Sequence, residues 1–158
     1  QNLNPDLSNI FVEKKIRQFN KKEEFLFTIK GNVDYKVVGL IYIKEVDWTK
    51  KQGEFAYALD YNIEGQGVMT KSIELLSDYA FETLYLEKLQ IIVHNNNKGS
   101  LKVAENNNWK LRHPVGPDAE PFIAWRTSMT DEQWVDWNAA SDKDWYQSVE
   151  QDFGLNAR

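Results

Sequence analysis

Gly65 and Gly67 lie between a strand-like run, residues 54–59, and a helix-like run, residues 70–84. Because glycine readily takes positive φ, this turn can direct several backbone N–H groups toward one point. The helix that follows adds its unpaired first-turn N–H groups and the positive end of its dipole. Strand, glycine turn and helix start together predict a cradle for an anion, usually a phosphate. A simple tight connection has the same pattern, so the turn alone does not decide the function.

The elements around this turn predict an α/β fold. Hydrophobic spacing and turn residues indicate strands and helices in alternation. The strand, helix and strand between residues 54 and 94 imply a parallel pair with a right-handed crossover, whereas residues 25–46 suggest an antiparallel hairpin. The expected helices are residues 7–20, 70–84 and 100–106, and the expected strands are residues 25–30, 37–46, 53–60, 89–94 and 122–127.

The composition of the chain excludes several classes of function. At 158 residues it is long enough for one domain, and its net charge of −5 argues against a nucleic-acid binder, which needs a basic face. The absence of cysteine excludes disulfides, thiolate metal ligands and a cysteine nucleophile. Two distant histidines, His94 and His113, make a weak case for a metal. No run approaches the roughly 20 apolar residues of a membrane helix, so we expect a cytoplasmic protein that does not bind membranes.

Three ordered motifs resemble the GCN5-related N-acetyltransferase (GNAT) superfamily and, within it, the RimJ/RimL-type branch. The segment 62–67, Asn-Ile-Glu-Gly-Gln-Gly, is similar to the family's phosphate loop, Gln/Arg-x-x-Gly-x-Gly/Ala. The segment 53–59 resembles the branch's strand Ala-Glu-Ile-Gly-Tyr-x-Leu. Asn97, Ser100, Glu105 and Trp109 match the later Asn-x-x-Ser … Glu-Lys-x-Gly-Phe segment. The resemblance covers residues 25–127.

This resemblance implies a mixed, largely antiparallel central sheet with helices on both faces and a splay between its two parallel central strands. It implies one acetyltransferase domain over residues 1–128 that lacks the family's first strand and helix. Residues 129–158 would form a helical tail with Trp134, Trp137 and Trp145, which packs on the same domain or contributes to an acceptor pocket or a dimer surface.

The resemblance also implies acetyl-coenzyme A as co-substrate, bound without a metal, and a small-molecule or peptide amine as acceptor. Glu54 would be the catalytic base, because an amine must lose a proton before it attacks a thioester; otherwise Glu54 is an ordinary solvent-facing strand charge. Asn97 and Ser100 would contact the pantetheine arm, although such a pair is also typical of a helix N-cap. The residues expected to bind the cofactor are Leu59, Asn62, Gly65, Gln66, Gly67, Val68, Met69, Thr70, Asn97 and Ser100.

The chain departs from the family pattern at three positions. Asn62 replaces the usual Gln or Arg, which weakens a side-chain role but not the backbone cradle. Asn108 replaces a glycine, a change that Asn tolerates because it accepts positive φ. Ala104 stands where many members have a tyrosine thought to protonate the departing thiolate, so that acid is missing or comes from elsewhere.

Two other functions remain open from the sequence. A non-catalytic acyl-coenzyme A binding module is compatible with the changes at Asn62 and Ala104. A nucleotide-binding domain is less compatible, because the loop lacks the Gly-Lys-Ser/Thr ending of a P-loop. A Ser-His-Asp hydrolase lacks a Gly-x-Ser-x-Gly elbow. Neither the acceptor amine nor the oligomeric state, which could be a homodimer, follows from the sequence.

Overall fold

The computed structural model describes residues 5–94, 96–112 and 122–128. Each element predicted from the sequence within these residues is present, with ends that differ from the prediction by at most a few residues. In chain order the elements are helix α1 (Pro5–Asn20), strands β1 (Phe25–Lys30), β2 (Val37–Asp47) and β3 (Gln52–Leu59), a 3₁₀ turn (Tyr61–Ile63), helix α2 (Val68–Glu82), strand β4 (Lys88–Val93), helix α3 (Lys98–Asn106), and strands β5 (Lys110–Arg112) and β6 (Phe122–Thr127).

The six strands form one mixed sheet in the order β1-β2-β3-β4-β6-β5. All neighbouring strands are antiparallel except β3 and β4, which are parallel and are joined by α2. A parallel pair needs such a crossover, because its strands must begin at the same end of the sheet. The predicted fold class, a mixed and largely antiparallel sheet with helices, is confirmed.

The parallel strands β3 and β4 are in register only at their first residues. The paired positions are Gln52 with Lys88, Gly53 with Leu89, and Glu54 with Gln90. Beyond Glu54 the two strands diverge, while β3 stays paired with β2 as far as Leu59. An opening therefore lies between the carboxyl-terminal halves of β3 and β4, as the resemblance predicts, and Glu54 is the last paired residue before it.

The apolar face of α2 packs on one face of the sheet. Met69, Ile73 and Ala80 are buried there, as their helical spacing predicts. Trp109, which follows α3, contacts Phe55 of β3 with ring centroids 5.9 Å apart. The buried residues of the sheet include Phe25, Ile41, Ile43, Phe55, Leu89, Ile91 and Val93.

Helix α1 lies beside the edge strand β1. Phe19 makes edge-to-face contacts with Phe25 and Phe27, at centroid distances of 5.0 and 5.8 Å. Lys15 lies over the ring of Tyr42, at 5.3 Å, and pairs with Glu24. Because Tyr42 alternates with the buried Ile41 and Ile43 along β2, the helix contacts both faces of the sheet near this edge.

Two short elements were not predicted from the sequence: the 3₁₀ turn before the glycines and strand β5. Both contain three residues, too few for a periodic pattern to reveal them. Helix α2 begins at Val68, two residues earlier than predicted. The predicted end of α3 is confirmed, since Asn108 has φ 57° after the helix ends at Asn106. The predicted tryptophan-bearing tail, residues 129–158, and His113 lie outside the described residues.

Candidate functional site

The glycine turn before α2 has the geometry of an anion cradle. Gly65 and Gly67 have φ values of 76° and 77°, and Gly67 caps the helix in the left-handed conformation without any side-chain hydrogen bond. A Cβ atom added at either glycine would meet nothing within 4 Å, so open space lies over the turn. The first-turn N–H groups of α2, those of Val68, Met69 and Thr70, have no intrahelical acceptor. The residues present therefore fit a phosphate-bearing ligand.

The side chains of the turn mainly stabilise its own conformation. Asn62 donates to Asp60 Oδ1 from both its backbone N, at 2.9 Å, and its Nδ2, at 3.1 Å. Gln66 Nε2 donates to the carbonyl of Asn62 at 3.3 Å. The side chain of Met69 is buried in the core. A ligand at this turn is therefore held chiefly by backbone groups.

The end of α3 is tied to the start of α2. Asn107 Nδ2 donates to the carbonyl of Thr70 at 3.1 Å, and Asn106 Nδ2 lies 3.5 Å from Thr70 Oγ1. Since α2 and α3 follow the carboxyl ends of β3 and β4, these contacts place both helices at the same end of the opening.

Asn97 and Ser100 lie at the start of α3. Asn97 Oδ1 accepts a hydrogen bond from the backbone N of Ser100 at 3.0 Å, which confirms the N-cap interpretation. Their predicted contacts with a pantetheine arm remain a prediction. On the other side of the opening, Leu59 ends β3 and pairs with Gly39 of β2. The edge of β3 that faces the opening is unpaired beyond Glu54 within the described residues, and an extended ligand could pair with it.

Tyr57 is a residue of this opening that the sequence did not single out. Its hydroxyl donates to the carbonyl of Ser100 at 3.4 Å, so it connects β3 with the start of α3. Burial raises the pKa of the Tyr57 hydroxyl above its ordinary value, and an interaction with the side chain of Ser100 opposes this only in part. The hydroxyl is therefore protonated at neutral pH. Only the tertiary structure shows this proximity, because the two residues are 43 positions apart.

Glu54 is a largely buried carboxylate with two partners. Its side chain is 12% exposed, which differs from the ordinary surface charge that remained possible from the sequence. Lys44 Nζ lies 3.5 Å from Glu54 Oε1, and Gln90 Nε2 donates to Glu54 Oε2 at 3.3 Å. These three residues occupy one cross-strand row, because Lys44 and Gln90 are the register partners of Glu54 on β2 and β4.

A pocket of about 870 Å³ opens beside Glu54. Its described lining comes from the α1–β1 connection, the end of β2, the β2–β3 turn, the first residues of β3, and Gln90 and Ile92 of β4. It therefore lies where β3 and β4 are still paired, whereas the glycine turn lies at their diverging ends. Neither Lys44 nor Gln90 was singled out from the sequence, since nothing in their local patterns separates them from ordinary strand residues.

The described part of the chain contains no group of three or more His, Asp or Glu side chains that could hold a metal ion. None of its helices is long and apolar enough to cross a membrane.

A mixed sheet with a splayed parallel pair, an N–H cradle at one end of the splay and a carboxylate at the other is the architecture of a GNAT-type acyltransferase domain. The family model described as acetyltransferase (GNAT) domain matches residues 1–110. The chain therefore belongs to the GNAT superfamily, as its motifs predict.

Two curated relatives are similar to part of this chain. The probable N-acetyltransferase YjcK of Bacillus subtilis is 33% identical over 89 residues, which cover 56% of this chain and 49% of the relative. The spermidine N(1)-acetyltransferase of Escherichia coli K12 is 29% identical over 70 residues, which cover 44% of this chain and 38% of the relative. The chain thus spans about half the length of the curated relatives it matches, or less.

Solved structures share the fold at low sequence identity. A putative ribosomal-protein-serine acetyltransferase from Vibrio cholerae aligns with TM-score 0.64 at 19% identity, covering 74% of this chain and 71% of that one. The microcin C7 self-immunity acetyltransferase MccE, in complex with acetyl-CoA and AMP, aligns with TM-score 0.65 at 20% identity, covering 79% and 72%.

Proposed function

We propose that this protein transfers an acetyl group from acetyl-coenzyme A to a primary amine by direct attack within a ternary complex. One observation carries the proposal: the opening between β3 and β4 has an anion cradle at one end and the buried carboxylate of Glu54 where the strands meet. In such an opening, the phosphates of the donor would lie at the cradle, and its acyl group would reach along β3 toward the carboxylate that accepts a proton. Family membership supports the same activity.

The donor would be held mainly by backbone groups. The N–H groups from Gly65 to Thr70 would receive the pyrophosphate, because they face open space at the positive end of α2. The free edge of β3 as far as Leu59, together with Asn97 and Ser100, would contact the pantetheine arm. Acetyl-coenzyme A supplies an acyl group on a good leaving group, so the protein needs to orient the two substrates and move protons.

The described side chains account for both proton transfers. Glu54 takes one proton from the acceptor ammonium, and the freed nitrogen forms a C–N bond with the acyl carbon. As the C–S bond breaks, the nitrogen releases its second proton, which replaces the proton that the thiolate receives. Backbone N–H groups on the free edge of β3 would stabilise the oxyanion, an effect of roughly 3–4 kcal/mol per donor. Tyr57 would give a proton to the departing thiolate, since its raised pKa keeps it protonated and it lies against Ser100. It would replace the tyrosine that many family members have where this chain has Ala104.

A second candidate function is acyl-coenzyme A binding without catalysis. It is favoured by Ala104, which is fully buried and offers no functional group, and by Asn62, whose amide is used within the turn. Both features remove a side chain that other members use, but neither affects the backbone cradle. A measurement of amine turnover therefore distinguishes acetyl transfer from binding alone, whereas a measurement of cofactor affinity does not.

Glu54→Gln tests the proposed function. It keeps the size of the side chain but removes the base, so we expect kcat for amine acetylation to fall by about 10²–10⁴-fold while the Kd for acetyl-coenzyme A stays within about twofold. The assay is thiol release with a panel of primary amines, and calorimetry gives the Kd.

Glu87→Gln is the matched control. Glu87 also pairs with a lysine, Lys51 at 3.1 Å, but it is exposed and does not line the pocket. We expect this variant to keep wild-type turnover. Tight cofactor binding without turnover of any amine by the wild type would instead support the binding module. Equal turnover by wild type and Glu54→Gln would exclude Glu54 as the base.

A further inference from the structure

The end of β2 contains a bulge that shapes the pocket beside Glu54. Between the pairs Lys44–Glu54 and Asp47–Gln52, two residues of β2, Glu45 and Val46, lie opposite one residue of β3. Glu45 has φ 50°, a conformation that few non-glycine residues adopt. Successive side chains of a regular strand point to opposite faces, yet residues 44–47 all line the pocket. The bulge thus places Glu45, together with its neighbours, at the wall of the pocket.

The described lining of the pocket is acidic overall. It contains five carboxylates and three lysines. Lys44 is paired with Glu54, and Glu24 is paired with Lys15, which lies outside the lining. Within the described part of the chain, the side chains of Glu23 and Glu45 have no hydrogen bond or ion pair. A lining in which carboxylates outnumber lysines favours a cationic occupant over an anionic one.

Trp48 forms an aromatic wall of the same pocket. Its indole N–H donates to the carbonyl of Lys22 at 2.9 Å, and its ring makes an edge contact with Phe25 at 6.2 Å. These contacts fix the ring, yet 40% of the residue remains exposed. An exposed indole beside carboxylates suits an ammonium or alkylammonium group, which is attracted to the face of the ring.

Gln90 provides a second, independent indication of a ligand. It is 5% exposed and lines the pocket, and its Nε2 donates to Glu54. Its Oε1 is buried and accepts no hydrogen bond from any described residue. A buried acceptor without a donor is costly, so such atoms usually face a ligand or a water. An amine at Glu54 would offer the missing N–H.

We propose that this pocket binds an aliphatic amine that carries a second positive charge. The reacting nitrogen lies between Glu54 and Gln90 Oε1, and the second cation lies against Glu45 and Trp48. Glu45 directly follows Lys44, the register partner of Glu54, so the Cα atoms of Glu45 and Glu54 lie roughly 6 Å apart, a distance that a short alkyl chain can span. The inference rests on the proposed function, because it assigns the acceptor class at the same site.

The test compares 1,4-diaminobutane with n-butylamine, which has the same carbon chain and one charge. We expect wild type to have at least a tenfold higher kcat/KM for the diamine. In Glu45→Gln, KM for the diamine should rise about threefold to fivefold, while kcat and both butylamine constants stay unchanged. Trp48→Leu should raise KM for the diamine by a similar factor. Glu82→Gln, which removes an exposed charge at the end of α2, is the control and should leave all constants unchanged.

Calorimetric titration of the diamine into wild type and Glu45→Gln provides a readout independent of turnover. If Glu45→Gln binds the diamine more weakly than wild type does, the result supports the inference even when neither protein acetylates an amine. If wild type does not bind the diamine, the inference is overturned. Equal kcat/KM for the two amines, or acetylation of a peptide N-terminus but of neither amine, would overturn the acceptor class and leave the proposed function intact. Diamine binding without acetylation of any amine would overturn the proposed function alone.

Discussion

Gly67→Ala separates the stability of the glycine turn from its role in binding coenzyme A. Gly67 has φ 77° and ψ 5° and is the N-cap of α2. The added methyl group would meet no atom within 4 Å, so the substitution causes no steric clash inside the protein. The substitution affects stability because alanine is strained at this positive φ. It affects ligand binding because the methyl group occupies the space over the turn.

The expected loss of stability is small. The left-handed conformation costs an L-residue about 1–2 kcal/mol, and the lower entropy of the unfolded alanine variant returns about 0.4–1 kcal/mol. The net loss is about 0.5–1 kcal/mol, or about 2–3 °C in Tm for a domain of this size. A ligand phosphate would lose at least one charge-assisted hydrogen bond, worth about 1.5–3 kcal/mol, so the Kd for coenzyme A should rise by about 10- to 100-fold.

Calorimetry of coenzyme A binding and thermal unfolding without ligand measure the two effects. Asn108→Ala is the control, since it also places alanine at positive φ, here 57°, but outside the opening. We expect it to lower Tm by a similar amount without changing the Kd. If Gly67→Ala bound coenzyme A as tightly as wild type, the assignment of this turn to the pyrophosphate would be wrong.

Two further predictions concern packing and pH. Gly39→Ala should lower the free energy of unfolding by about 1–3 kcal/mol in urea titrations, because its Cβ would lie 3.0 Å from the carbonyl O of Ala58 and from side-chain atoms of Ile29 and Leu59; an unchanged midpoint would contradict it. Burial raises the pKa of Tyr57 in the folded state, so above about pH 10 the unfolded chain loses a proton that the native state keeps. Stability should therefore fall as pH rises through that range, by at most about 1.4 kcal/mol per pH unit from this group, and Tyr57→Phe should remove that part of the slope. The same variant should lower kcat if Tyr57 is the general acid, and identical pH profiles would refute the assigned burial effect.

Local patterns in the sequence were sufficient to predict most of the fold. The helical spacing from Met69 to Ala80 required one buried face, and the β-branched run from Val37 required a strand. The glycine turn was also predictable, since positive φ at Gly65 and Gly67 depends on residue type and close neighbours. Resemblance to the family then predicted the splay that the register of β3 and β4 confirms.

The acceptor side could not be predicted in the same way, because its residues are brought together by strand register. Nothing local distinguishes Gln90 from other polar strand residues until β4 places it beside Glu54. The position of Glu45 depends on a bulge that only the pairing of β2 with β3 reveals. The sequence by itself determined the strand–turn–helix segment of the cradle and the family, since both depend on contiguous residues. The tertiary structure alone decided which charges, amides and rings surround Glu54, because those contacts join residues up to 36 positions apart.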